Sequence, residues 1–142
     1  LNGFTIQNGF SENGGGIKCM DLDCRRTSPV IKNNNIINNH AMQNGGGIYI
    51  YAPSTTVDST QLLCNNIDSN YAEANGGGIY IDSWKFNCIG NIVSNNVADS
   101  CGGGLCNYGR IYRNSSMQNT SFNSNIAYFH SKVNPISKKF YA

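Results

Sequence analysis

Four short stretches of the chain alternate between two kinds of position, and each stretch directly follows a run of glycines. They are Ile17-Lys18-Cys19, Ile48-Tyr49-Ile50, Ile79-Tyr80-Ile81 and Leu105-Cys106-Asn107. Alternation with a period of two and an apolar residue first is typical of a half-buried β-strand. The pattern therefore predicts four strands whose first and third side chains point into a core. Their middle residues, Lys18, Tyr49, Tyr80 and Cys106, are expected to point outward.

A longer phrase repeats around these strands, in which Asn-x-Ala is followed by three residues and then by three glycines. The complete copies are Asn39 with Gly45, Gly46 and Gly47, then Asn70 with Gly76, Gly77 and Gly78, and then Asn96 with Gly102, Gly103 and Gly104, while Asn125 opens a partial copy. The asparagines of successive copies are 31, 26 and 29 residues apart. A recurring phrase of this length is typical of a solenoid, in which each repeat forms one coil of a stack.

Counting back from the alanine of each copy shows a second strand region in every repeat. One apolar column contains Ile31, Leu62, Cys88 and Met117, and another contains Ile36, Ile67, Val93 and Phe122. Only one segment of the repeat varies in length, as expected where insertions leave the stack through one loop. The sequence thus predicts an all-β solenoid of about four coils with partial coils at both ends, over residues 1–127. Residues 128–142 lack the pattern and are expected to form an irregular end or a partial coil.

The asparagine and glycine columns have structural explanations. Asn39, Asn70, Asn96 and Asn125 occupy one column, where each side-chain amide can bond the amide one coil away. They are therefore expected to form an asparagine ladder. The glycine triplets are expected at corners where the backbone is crowded or adopts positive φ. No helix is expected, because glycine triplets and dense asparagine oppose it.

Composition narrows the classes of partner. Charged residues make up 13% of the chain and the formal net charge is +2, with the ten basic residues dispersed. A nucleic-acid partner is not expected, because binding to phosphates needs a basic face or stripe. No apolar run approaches the ~20 residues of a membrane-spanning helix. The chain opens at Leu1 inside a strand-like phrase, so we expect it to be continuous with further repeats in a longer protein.

Several phrases resemble a known kind of repeat. Gly3-Phe4-Thr5-Ile6, the Gly-Gly-Gly-Ile runs and Phe122-Asn123-Ser124-Asn125 are similar to the Gly-Gly-Ala-Ile and Phe-x-x-Asn repeats of the polymorphic outer-membrane protein family. The resemblance covers about residues 1–127 and implies that the solenoid is a right-handed parallel β-helix of the pectin-lyase fold. It also implies a secreted or cell-surface protein linked to adhesion. A glycan or a host or surface protein is the partner that we expect.

Catalysis by carboxylates is the alternative that the pectin-lyase fold raises. Enzymes of this fold cluster Asp or Glu on outward strand positions, where they bind calcium or act as acid and base. The chain has eight acidic residues. We expect no two of them to share a slot in adjacent coils, with Asp82 alone on an outward strand position. His40 is expected on the surface of a turn. The sequence therefore predicts no catalytic residue, no metal and no other cofactor.

The six cysteines do not indicate a zinc site. Two pairs have the spacing Cys-x4-Cys, namely Cys19 with Cys24 and Cys101 with Cys106. They are separated by nearly the whole array, whereas zinc needs its ligands in one place. Cys19 and Cys88 share apolar columns and are expected to be buried thiols. Cys101 and Cys106 form the pair that we expect to be joined by a disulfide if the protein is exported to an oxidising compartment.

The outward tyrosines are the predicted binding site. Tyr49 should stack on Tyr80, with Tyr51 and Asp82 two residues further along the strands. Such a strip suits contact with a sugar or a partner protein. The alternative explanation of the stack is ordinary stabilisation of the sheet by a cross-strand pair, worth ~0.2–1 kcal/mol. We therefore predict a non-enzymatic structural stalk or adhesin-like binding module. The alternative is a fragment of a carbohydrate-active enzyme acting on polysaccharide, and an ice-binding β-helix ranks third because no outward threonine column recurs.

Overall fold

Eighteen short strands and no helix make up the part of the chain that the computed structural model describes, residues 1–21, 28–52, 59–83, 85–109 and 115–128. The strands form four sheets. The first sheet contains β3 (Ile17–Met20), β7 (Ile48–Ala52), β11 (Ile79–Ser83) and β15 (Leu105–Asn107). The second contains β4 (Val30–Lys32), β8 (Thr60–Leu63), β12 (Phe86–Ile89) and β16 (Ser116–Gln118).

The other two sheets are built from shorter strands. The third sheet contains β1 (Thr5–Gln7), β5 (Asn35–Ile37), β9 (Asn66–Asp68), β13 (Ile92–Ser94) and β17 (Ser121–Asn123). The fourth contains β2 (Phe10–Ser11), β6 (His40–Ala41), β10 (Tyr71–Ala72), β14 (Val97–Ala98) and β18 (Ile126–Ala127). Each strand pairs in parallel with the equivalent strand of the next coil. The predicted parallel β-helix of about four coils is thus confirmed.

The register of the sheets follows the sequence repeat, and it stacks like residues inside the coil. Ile79 pairs with Ile48 on one side and with Leu105 on the other. All three are almost completely buried. The columns that contain Ile31 and Ile36 also face the core. Burying one such side chain stabilises a fold by about 1.5–3 kcal/mol, so these columns supply the main force that holds coil on coil.

The predicted asparagine ladder runs through the stack, next to the apolar columns. The Nδ2 of Asn39 donates to Oδ1 of Asn70 at 2.9 Å, and Asn70 donates to Asn96 at 2.9 Å. Asn96 donates in turn to Asn125 at 3.0 Å. Each accepting Oδ1 also takes the backbone N–H of the donating asparagine. The amide groups are thereby satisfied in the interior, where an unpaired one would be strongly unfavourable.

A second ladder, which the sequence analysis missed, lies between the second and third sheets. Asn34 donates to Asn65 and Asn65 donates to Asn91, both at 3.0 Å. In the next coil Thr120 occupies the position of the asparagine, and its Oγ1 accepts a hydrogen bond from the backbone N–H of Asn91 at 3.4 Å. Each of these residues stands five positions before an asparagine of the first ladder. The same count from the alanine would therefore have found this column.

Left-handed backbone explains why the asparagines recur at two corners of each coil. The residue directly before each ladder position has positive φ, for example Asn38 (φ 54°) before Asn39 and Ser69 (φ 54°) before Asn70. This conformation turns the chain sharply, so that the next side chain points inward. At the third corner Gly76 has φ 66°. A Cβ on Gly78 would lie 2.7 Å from the carbonyl oxygen of Gly104, so the coils pack too closely there for any side chain.

Coverage of the apolar columns weakens in the last described coil. Met117 is exposed and Phe122 is half-buried, although their counterparts in the inner coils are buried. Residues 129–142, which include most of the predicted irregular end, lie outside the described residues. None of the described segments forms a helix with the length and apolarity needed to cross a membrane.

Candidate binding faces

The predicted tyrosine strip lies on the outward side of the first sheet. β7 and β11 pair in register, so Tyr80 lies beside Tyr49. Their rings stack with centroids 5.3 Å apart and an interplanar angle of 6°. Tyr80 is only 8% exposed, however, while Tyr49 is half-buried. The stack therefore covers Tyr80, and Tyr49 is the ring of the pair that is more open to a ligand.

Tyr51 and Asp82 extend the strip by one more cross-strand pair. Asp82 pairs with Tyr51, and both side chains are half-buried. Burial raises the pKa of the Asp82 carboxyl above its usual value. Burial also raises the pKa of Tyr80 and that of Tyr49, and the negative charge of Asp82 adds to both shifts. Tyr49 and Tyr80 thus keep their hydroxyl protons at neutral pH, and the strip presents aromatic rings, hydroxyl groups and one carboxyl group.

Cys101 and Cys106 lie next to this strip, at the coil that follows Tyr80. Cys106 pairs with Tyr80 across β15 and β11, so its side chain points away from the main core as predicted. It is nevertheless only 1% exposed, because it packs with Cys101 and Tyr80 in a second small apolar cluster. The outward side of the sheet is therefore covered at Cys106. The two sulfurs are 3.4 Å apart, in contact but beyond the ~2.05 Å of a disulfide bond.

The other described cysteines are apolar packing groups or single thiols. Cys88 is 1% exposed, and burial raises the pKa of its thiol to about 12. Burial raises the pKa of the Cys19 thiol as well. Such thiols are poor nucleophiles and poor metal ligands at neutral pH. Cys24 lies outside the described residues. Within the described ranges, no group of three or more His, Cys, Asp or Glu side chains is placed to hold a metal ion.

The fourth sheet carries a second outward row of aromatic residues, which the sequence analysis did not single out. His40 lies in strand β6, so its predicted position in a turn is wrong. Its ring contacts Phe10 and Tyr71, with both centroid distances 4.9 Å. Nε2 of His40 also lies 3.0 Å from Oε1 of Glu73. A strand of two residues is too short to show alternation, which explains why the pattern did not reveal it.

The expectation that no two carboxylates share a slot in adjacent coils is also wrong. Glu73 directly follows Ala72 and Asp99 directly follows Ala98, and these two alanines are paired neighbours. The two carboxylates therefore stand in one column beside the aromatic row. The Tyr71 hydroxyl donates to Oδ2 of Asp99 at 2.6 Å, and this bond is the main cause that raises the pKa of Tyr71 to about 12. Counting from the alanine would have detected this column.

Asp68, on the outward side of the third sheet, is held by three donors. The Ser94 hydroxyl donates to it at 2.6 Å, the Asn95 amide at 2.8 Å and the Ser69 hydroxyl at 2.9 Å. The bond from Ser94 is the largest cause that lowers the pKa of this carboxyl. Local donors already occupy the oxygens of Asp68. This carboxylate therefore stabilises the corner of the coil, and it is less available to bind a ligand.

Comparisons of the chain with protein-family models, with curated proteins and with solved structures found no match. The similarity to polymorphic outer-membrane protein repeats thus rests on the repeat phrases themselves. Function has to be argued from the two outward faces of the solenoid, namely the tyrosine strip of the first sheet and the aromatic row of the fourth.

Proposed function

We propose that this chain is a non-enzymatic β-helix segment of a secreted or cell-surface protein, which acts as a structural stalk or adhesin-like module and binds glycan along its tyrosine strip. The observation that carries the proposal is the strip itself, where Tyr49 rests on Tyr80 at 5.3 Å with nearly parallel rings. Tyr51 and Asp82 lie one register pair further on. Rings fixed on a rigid sheet lose little freedom on binding, which favours affinity.

The chemistry of the strip suits a carbohydrate. The Tyr49 and Tyr51 rings supply flat apolar area for the C–H faces of a sugar, and their hydroxyls and the Asp82 carboxyl group supply partners for its O–H groups. Paired strands lie about 4.8 Å apart and alternate residues about 6.7 Å apart, so Tyr49, Tyr51 and Asp82 fit within the area of one or two sugar rings. The resemblance of the repeats to surface proteins supports the same proposal.

A carbohydrate-active enzyme of the pectin-lyase type is the second candidate, and one observation favours it. Glu73 and Asp99 stand in one column of adjacent coils, an arrangement that acid and base catalysis on polysaccharide uses. One observation argues against catalysis. Each carboxylate is already hydrogen-bonded to a neighbouring aromatic side chain, Glu73 to His40 and Asp99 to Tyr71. We therefore rank this candidate below the binding module.

Affinity electrophoresis in gels that contain a panel of polysaccharides tests the binding proposal. The Tyr49→Ala and Tyr51→Ala variants should lose at least tenfold in affinity, about 1.4 kcal/mol, for any polysaccharide that retards the wild type. Phe4→Ala is the matched control, because Phe4 is an exposed aromatic residue (56%) at the start of a different sheet. Equal retardation of the wild type and both tyrosine variants by such a polysaccharide would reject the strip as its site.

A further inference from the structure

The outward side of the fourth sheet is unusually apolar for a surface. Phe10 is 64% exposed, and Met42, Ile126 and Tyr128 are also among the exposed large apolar side chains. Phe10 belongs to the row that it forms with His40 and Tyr71. Ile126 continues the same column of the sheet, and Met42 and Tyr128 directly follow β6 and β18 beside it. Contiguous exposed apolar groups of this kind mark interaction sites more often than isolated ones do.

A column of carboxylates borders this row on one side. Glu12, Glu73 and Asp99 each stand one residue after a strand of the fourth sheet. The three lysines of the described residues lie on other faces: Lys18 on β3, Lys32 on β4 and Lys85 just before β12. We call the surface formed by Phe10, His40, Tyr71 and the three carboxylates the acidic–aromatic face. Within the described part of the chain this face carries no Lys or Arg, so its complement is a cationic partner.

The groups of this face are held in place before any partner arrives. The Gln43 amide donates to Oε1 of Glu12 at 2.9 Å, and Oε1 of Glu73 lies 3.0 Å from Nε2 of His40. Glu12 and Glu73 are both exposed, and each uses only one oxygen in its hydrogen bond. The second oxygen of each carboxylate is therefore available to an incoming donor, and little side-chain freedom remains to be lost.

We infer that the acidic–aromatic face is a docking surface for a basic polypeptide segment, with arginine or lysine side chains at alternate positions. A guanidinium group can stack on Tyr71 or Phe10 while it donates to a neighbouring carboxylate. The spacing also fits. Glu12 and Glu73 are two strand spacings apart, about 9.6 Å, with Met42 between them in the column, and residues i and i+2 of an extended peptide lie about 6.7 Å apart on one face. Long arginine or lysine side chains at such positions reach both carboxylates while the peptide lies along the aromatic row.

Fluorescence anisotropy with a labelled nine-residue peptide tests this inference. The probe carries three arginines at alternate positions separated by serine, and a second peptide carries glutamate in place of arginine. The arginine peptide should bind the wild type and the glutamate peptide should not. Binding should weaken as the salt concentration is raised, because salt screens the attraction between exposed charges and the screening length at physiological ionic strength is only about 8 Å. No binding of the arginine peptide at low salt would overturn the inference.

Two double variants of equal net charge separate docking on this face from general attraction. Glu12→Gln with Glu73→Gln should weaken binding of the arginine peptide at least tenfold, about 1.4 kcal/mol. Asp68→Asn with Asp82→Asn removes two carboxylates from other sheets, and it should change the affinity less than twofold. Phe10→Ala should weaken binding at least threefold. Equal losses in both double variants would contradict the inference. Tyr49→Ala should leave peptide affinity unchanged, so this test is independent of the glycan proposal.

Discussion

Replacing Asn70 by alanine is the sharpest test of how the coils are held together. Asn70 is 1% exposed and takes part in four side-chain hydrogen bonds. Its Oδ1 accepts from the N–H and Nδ2 of Asn39, and its Nδ2 donates to the Ile36 carbonyl and to Asn96. After the change, Asn39 Nδ2 keeps the Ile6 carbonyl and Asn96 Oδ1 keeps the Asn70 N–H. The Asn39 N–H loses its partner in the interior, and the Ile36 carbonyl, which stays in the ladder between β5 and β9, loses one hydrogen bond.

The expected loss of stability follows from these two buried groups. Leaving the Asn39 N–H without its partner costs about 1–3 kcal/mol and the lost hydrogen bond to the Ile36 carbonyl about 0.5–1.5 kcal/mol, so with the lost packing Asn70→Ala should lower the free energy of unfolding by about 3–5 kcal/mol. Domains of this size are stable by about 5–15 kcal/mol. Urea unfolding followed by far-ultraviolet circular dichroism measures the difference. Asn125→Ala, at the half-buried end of the ladder, should lose less, about 1–2 kcal/mol.

Asn35→Ala is the matched control for this measurement. Asn35 lies in a central strand of the third sheet, but its side chain is exposed. Its replacement should change the free energy of unfolding by no more than about 0.5 kcal/mol. If Asn70→Ala were as mild as Asn35→Ala, the ladder would add nothing to the stacking of the coils and the reasoning would be refuted.

Two further predictions concern titration and oxidation. The pKa of Asp68 is lower in the folded chain than in the unfolded chain, so the ionised carboxylate stabilises the fold above the unfolded-state pKa of about 4. In urea unfolding, the difference in stability between the wild type and Asp68→Asn should therefore shrink below that pH. The pKa of Asp82 is raised, so Asp82→Asn should be more stable than the wild type at pH 7, and a less stable variant would contradict the desolvation argument. Diamide, which accepts two electrons and two protons, should join Cys101 to Cys106 with a mass loss of about 2 Da; peptide mapping that finds any other link, or none, would contradict their 3.4 Å contact.

The stacking of the coils could be predicted because it depends on residues that recur. Asn39 and Asn70 are each followed two residues later by an alanine, and every coil must repeat this corner to pair with the next. Counting from the alanine therefore found the apolar columns and the first ladder. It would also have found the second ladder at Asn34, if the count had been extended to polar residues.

The accessibility of the candidate site could not be predicted in the same way. Alternation tells which side of a sheet Tyr80 and Cys106 face, but not what covers that side. Here Cys101, which takes the place of an asparagine in the earlier coils, packs on Cys106 and closes the surface. His40 was misplaced for a different reason, since a two-residue strand has no period of its own. Contacts with residues in the neighbouring coils determine both the accessibility at Cys106 and the strand at His40.

The measurement that bears most directly on function is an assay of polysaccharide breakdown. The wild-type chain is incubated for a long time with each polysaccharide that retards it in the gel, and new reducing ends and unsaturated products are measured. A binding module should leave the polymer unchanged in length. Turnover that is abolished by Glu73→Gln or Asp99→Asn would contradict the central claim and would establish the enzyme in its place.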